Sequence, residues 1–284
     1  MVLNGSGAID DLKFVPGEPP TGSLSGRYFC DDDGDGLDND GTDNGVGGIE
    51  VELTDADGNG LRIFTTTGPD GSYSFSDLAP GTYGVRFTDP DNVNDGKALT
   101  TANVGGAASD AIDSDAIGDA GTSVILGIEV LSGQDTPDND AGVVPLGSVA
   151  GRLFCDTDDD DLDNGNGTEP GVGGVTVTLT NITTGEEFTT ETGPDGSYSF
   201  DDLVAGDYKV TFDGDDADLD GKVFVNQTLG DNDAIGGSDV DPANGMTAVF
   251  TLGVGEDRTD VDAGVEDDDP VSYTHLTLPT IYSV

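Results

Sequence analysis

Tryptophan is absent from the 284 residues, histidine occurs once, and cysteine and methionine occur twice each. Lys and Arg number 9 against 58 Asp and Glu, a formal charge of -49 at pH 7. Each shortage excludes something. A polyanion with no Lys or Arg cluster is repelled by nucleic-acid phosphates and by anionic membrane surfaces, so nucleic acid is not expected as a partner. No run approaches the roughly 18 consecutive apolar residues of a membrane span, so no membrane insertion is expected of this stretch. Met1 to Ala8 lacks the basic and apolar regions of a secretory leader. The only histidine, His275, lies close to the end, no nucleophile has a base beside it, and no Gly-rich phosphate loop follows a strand. The chain therefore reads as a non-enzyme whose natural partners are cations.

Asp and Gly are abundant. Asp favours turns, because its short side chain hydrogen-bonds nearby backbone and competes with helix interiors; together with 45 Gly and 13 Pro it biases the chain toward an all-β fold with many turns. The sequence also repeats itself. Gly26-Arg27-Tyr28-Phe29-Cys30-Asp31 returns as Gly151-Arg152-Leu153-Phe154-Cys155-Asp156, TGPDGSYSF is identical at 67–75 and 192–200, and both copies close on Asp-Ala-Gly-Val. Within each copy the apolar period is two: Ile49, Val51 and Leu53; Tyr83, Val85 and Phe87; Val175, Val177 and Leu179; Tyr208, Val210 and Phe212. Val124, Leu126, Ile128 and Val130 read the same way, as one face of the last strand. About seven strands per copy suit two tandem antiparallel β-sandwiches.

The expected domains are 22–144 and 147–265, joined by Pro145 and Leu146. Residues 1–21 read as a linker or a fragment of a preceding domain, and 266–284 as an acidic linker and tail. Within that tail, 270–284 contains no Asp, Glu or Gly and resembles the translation of a sequencing adapter, so it is excluded from the fold.

The strongest chemical signal follows the first strand of each copy. Asp31, Asp33 and Asp35 are spaced two apart, Gly36 takes the sixth position, Leu37 the seventh and Asn39 the ninth, as in an EF-hand-like calcium loop. A hard cation needs six to eight oxygens, so alternate side chains must converge and the backbone must turn sharply enough to bring in a carbonyl. The second copy offers Asp156, Asp158, Asp160, Leu162 and Asn164, with Asp161 in place of the turn glycine. Neither loop has a Glu at position twelve; Asp43 and Glu169 are the nearest closing ligands. The competing readings are a plain solvated acidic loop and halophilic adaptation, the latter favoured by a content of only four Lys. Cys30 and Cys155, at equivalent places in separate domains, are expected to be buried thiols rather than a disulfide.

The acidic loop after the first strand, the Gly-Val-Gly-Gly runs at 45–48 and 171–174, the Gly-x-Tyr-x-Phe strand and the closing Asp-Ala-Gly together resemble the B domain of SD-repeat surface adhesins. That family is related to the collagen-adhesin B-type and prealbumin-like sandwiches of Greek-key type. The resemblance implies a bacterial or archaeal secreted or cell-surface protein, several Ca2+ ions per domain, and a role as adhesin stalk or adhesive spacer. Its extracellular ligand, protein or glycan, is not specified. Further metal ligands are implied at Asp89, Asp91, Asp113 and Asp115, and at Asp213, Asp215, Asp239 and Asp241. Collagen-adhesin relatives carry a Lys–Asn isopeptide bond, but the matching strand here offers Arg27 and Arg152. A guanidinium cannot be deprotonated in a protein, so no such crosslink is expected and calcium would supply the stiffening. The alternative reading is an accessory or carbohydrate-binding module of a larger extracellular hydrolase.

Overall fold

The computed structural model describes residues 20–38, 43–104, 111–158, 161–163, 169–227 and 236–268. Residues 1–19 of the expected linker 1–21, residues 269–284 of the expected acidic linker and tail 266–284, and the site candidates Asn39, Asp160 and Asn164 lie outside the described residues. The chain divides into two compact units whose main boundary falls between Val143 and Val144. Both are β-sandwiches.

In the first unit, one sheet is built around the opening strand Gly22–Cys30. It pairs antiparallel with Ser72–Leu78 and parallel with the closing strand Ala141–Pro145, beyond which Lys97–Leu99 completes the sheet. The second sheet runs Gly60–Thr66, Glu50–Asp55, Gly81–Thr88, Thr122–Val130 and Ile117–Gly118, antiparallel throughout. Alternation places Val51, Leu53, Val85 and Phe87 inward, where they meet Leu24, Tyr28, Tyr73 and Phe75 from the other sheet.

The second unit repeats this plan. Gly147–Cys155 pairs antiparallel with Ser197–Leu203 and parallel with Ala263–Asp267, which pairs in turn with Lys222–Phe224. Opposite lie Glu187–Glu191, Thr176–Asn181 and Gly206–Phe212. Among the named strands the pairing is thus antiparallel except along the opening strand of each unit, which runs parallel both to the closing strand and to the short strand before it, Asp135–Thr136 or Asp257–Arg258.

The strand Thr122–Val130 departs from simple alternation. Ile125, Ile128 and Val130 are buried while Leu126 is 45% exposed, and the register shifts opposite Tyr83 and Gly84. Gly127, at φ +82°, supplies the extra residue of a β-bulge, so the inward face switches partway along the strand. Nor is this the last strand, because the Asp-Ala-Gly-Val segment forms a further one. In the second unit the counterpart is broken into Met246–Thr247 and Phe250–Leu252.

The repeated glycine before the arginine has a steric cause. A Cβ on Gly26 would sit 1.9 Å from the Asn139 carbonyl oxygen, and one on Gly151 would sit 1.8 Å from that of Val261. The same two carbonyls accept hydrogen bonds from the buried hydroxyls of Tyr73 and Tyr198, each at 2.6 Å. The Gly-Arg and Gly-x-Tyr-x-Phe motifs therefore meet at one point, and Tyr73 stacks edge-on against Phe87, as Tyr198 does against Phe212.

Candidate metal centre

The acidic loops leave the ends of the two opening strands. Asp31 is fully buried: its Oδ1 accepts from the Asp35 N–H at 3.1 Å, and its Oδ2 from the Gly36 N–H at 2.9 Å and from the Thr100 hydroxyl. These bonds fold the loop back over its first residue, and Gly36 makes the turn at φ +83°. Carboxylate oxygens of Asp31, Asp33 and Asp35 then lie within 4.8 Å of one another. Leu37 bridges Asp113 across the loop, and Asp35 Oδ1 accepts from the Leu37 N–H.

In the second unit Asp156 is likewise buried and accepts from the N–H groups of Asp158 and Asp161. Here the cluster within 4.8 Å is Asp156, Asp158 and Glu169, with Glu169 buried. Asp161, in place of the turn glycine, adopts φ +63°, and Leu162 begins the short pairing Leu162–Asp163 with Gly236–Gly237. Asp43, the closing candidate of the first loop, is buried but does not join the three-carboxylate cluster.

Sequence reasoning assigned Arg27 and Arg152 only the negative role of not being lysine. Each instead clamps its loop. Arg27 pairs with Asp38, donates to the Asp70 carbonyl at 2.9 Å and to the Asp43 carbonyl at 3.3 Å; Arg152 repeats this with Asp163, Asp195 and Glu169. The guanidinium fork thus ties the end of each acidic loop to the Pro-Asp-Gly turn. Its planar set of donors was the available signal.

The remaining candidates divide. Asp115 and Asp140 interlock: Asp115 N–H donates to the Asp140 carbonyl, and Asp115 Oδ2 accepts from Asp140 N–H at 3.0 Å. Asp239 and Asp262 do the same, at 2.8 Å. Asp140 and Asp262 each accept from the arginine's own N–H, and burial first, then the neighbouring Asp115 or Asp239, pushes both carboxyls up to about 7. Asp113 is buried in the bridge to Leu37. Asp89 caps the N–H groups of Val93 and Asn94, and Asn94 is buried, its Oδ1 without a hydrogen-bond partner. Asp91, Asp213, Asp215 and Asp241 are exposed; Asp213 accepts from Asp215 N–H, and Asp241 from Ala243 N–H, as turn formers. None of the outlying acids belongs to either three-carboxylate cluster found among the described residues. Cys30 is buried as expected, whereas Cys155 is only half-buried and its Sγ accepts from Lys222 Nζ at 3.5 Å.

Among the described residues no helix is long and apolar enough to cross a membrane. Comparison with known proteins agrees with the geometry of the repeat. Serine-aspartate repeat-containing protein C of Staphylococcus aureus strain Newman is 36% identical over 214 residues, covering 75% of this chain and 21% of that protein. Serine-aspartate repeat-containing protein I of Staphylococcus saprophyticus is 33% identical over 207 residues, covering 72% and 10%. The chain thus spans roughly a tenth to a fifth of the length of these relatives. A minor pilin of Streptococcus agalactiae overlaps 92% of the chain and 99% of its own at 11% identity and a TM-score of 0.34. The SdrD B-like domain profile matches twice, over residues 22–143 and 147–265, so the chain belongs to the SdrD B-like domain family.

Proposed function

We propose that the chain is a calcium-stiffened spacer module of a secreted or cell-surface adhesin, built from domains 22–144 and 147–265. It presents or extends other parts of the protein toward an extracellular protein or glycan and carries out no catalysis. One observation carries the reading: both units, at the same place after the opening strand, bring three carboxylates within 4.8 Å, and each cluster includes a buried member. Like charges at about 5 Å repel by roughly 3 kcal/mol per pair at an effective dielectric of 20, an arrangement that a divalent cation offsets. The donors fit a hard ion, being carboxylate oxygens that converge on a tight loop. Asp31, Asp33 and Asp35 would hold it in the first unit, and Asp156, Asp158 and Glu169 in the second. The ion would tie the opening strand to the loop that Arg27 or Arg152 anchors from its other end. The serine-aspartate repeat relatives support the surface-adhesin setting.

Calorimetric titration with calcium, paired with thermal melts in calcium and in chelator at matched ionic strength, tests the proposal. Saturable binding with a raised melting temperature is expected. Unchanged melts in chelator would overturn the calcium role, and rescue by molar NaCl alone would assign the acidity to halophilic solubility.

A further inference from the structure

The chain has two cysteines and four lysines, and in each unit a lysine follows the cysteine by 67 residues: Lys97 after Cys30, and Lys222 after Cys155. In the second unit the register explains the spacing. Cys155 pairs with Val265, Val265 with Phe224, and Asp267 with Lys222, so Lys222 lies diagonally from Cys155 on the same sheet face. Lys222 Nζ is held between two acceptors, Asp267 Oδ1 at 2.8 Å and Cys155 Sγ at 3.5 Å. Cys155 also opens onto a surface depression lined by Asp156, Thr157, Val223 and the acidic run Glu266 to Asp268. A half-buried sulfur beside an ammonium is the setting in which oxidisable cysteines are found.

We propose that Cys155 and Lys222 form an oxidative covalent crosslink, a Sγ–Nζ sulfenamide, with hydrogen peroxide as the two-electron oxidant. Peroxide transfers one oxygen to the thiol, giving a sulfenic acid and one water. The Asp267 carboxylate favours the ammonium form of Lys222, so the step runs through the chains whose Lys222 has lost one proton to solvent at alkaline pH, and their free amine attacks the sulfur. The S–O bond breaks, the S–N bond forms, and the departing hydroxide takes up one of the two remaining amine protons to leave as a second water. Thiol and amine together lose two hydrogens, and peroxide is reduced to water. The acidic rim admits an uncharged peroxide while repelling anionic oxidants and anionic thiol reductants. The bond would join the end of the opening strand to a strand one place beyond the closing strand. Residues 156–221 would then become a covalent loop that tension on the chain ends cannot extend. The readout is a bond rather than an ion, so its failure is distinguishable from a failure of calcium binding at the neighbouring Asp156.

The test treats the full-length Cys30→Ser chain, which has no competing second thiol, with hydrogen peroxide in calcium. Intact mass should fall by two hydrogens, peptide mapping should link Cys155 to Lys222, and dithiothreitol should reverse both. Lys222→Arg keeps the charge beside Asp267 but has no nucleophilic amine. Its folding can be checked by circular dichroism, and it should lose the link and leave Cys155 trappable by dimedone. Under force, the oxidised second unit should lengthen by about 20 nm less than the reduced one. Cys155 unmodified, or oxidised to sulfinic acid with no linked peptide in the Cys30→Ser chain, would overturn the proposal, as would a link to Lys209 instead.

Discussion

The two acidic loops start from the same strand end, and among the described residues their clusters differ in the closing acid: Glu169 joins the second, while Asp43 stays out of the first. In the first unit the turn residue is Gly36, and all three clustered carboxylates come from the loop itself. In the second the turn residue is Asp161, and among the described residues, which do not include Asp160, the third clustered carboxylate is Glu169, contributed by the segment that Arg152 holds through the Glu169 carbonyl. A cluster of this kind can therefore be closed within a loop or from the returning chain, provided an arginine fixes where that chain comes back. The cores differ in the same region: Tyr28 accepts from Asn94 at 2.9 Å where the second unit has Leu153, and burial pushes the Tyr28 hydroxyl well above its usual range.

The largest expected effect lies where the units agree. Gly26→Ala and Gly151→Ala each drive a Cβ into a backbone carbonyl that cannot move without displacing the closing segment. Each should destabilise its own unit by about 4 kcal/mol. Calorimetry should show one transition lowered while the other stays in place, and equal, small shifts in both would break the parallel between the units.

The clusters come next. Replacing Asp31, Asp33 and Asp35 together by Asn should remove one calcium and weaken the first unit by about 2.7 kcal/mol at hundredfold excess over Kd. Glu169→Gln should weaken calcium binding in the second unit, whereas Asp43→Asn should change that of the first little. Titration calorimetry of the single variants decides this, and equal losses would remove the distinction between loop-closed and chain-closed sites.

The interlocked acids should behave alike in both units. Asp140 and Asp262 are raised from 3.8 to about 7, so folding takes up a proton at each between those values. The stability they contribute is complete below pH 3.8 and is lost as pH rises through 7, where each must ionise in a buried place. Exposed Asp70 and Asp195, held low by the hydroxyls of Ser72 and Ser197, act in the opposite direction and weakly. Asp140→Asn keeps an acceptor for the Arg27 N–H, and in chelator it should raise stability by about 2 kcal/mol at pH 8 while changing little at pH 4. Melts across that range in chelator check the sign.

The smallest effect concerns the turn. Asp161→Gly relieves a left-handed non-glycine residue and should stabilise the second unit by about 1 kcal/mol. A thermal shift of the second transition alone would show it.

How much was legible depends on the range of the interaction. The repeat, the strands, the Pro-Asp-Gly turns and the acidic loops were readable because alternation, turn chemistry and ligand spacing act over a few residues. The bulge at Gly127 was not, because Leu126 and Ile128 are both apolar and only the register of Gly81–Thr88 decides which faces inward. Equally hidden were the parallel pairing of Cys30 with Val143, the bond from Arg27 N–H to Asp140 across 113 residues, and the approach of Lys222 to Cys155. The sequence alone determined two copies of an acidic all-β unit with alternate-residue aspartates after the first strand. Tertiary structure decided which acids converge, which are buried and interlocked, and what the arginines hold. Those outcomes depend on where the closing strand returns beside the opening one, and chain closure over a hundred residues leaves no local mark in the sequence.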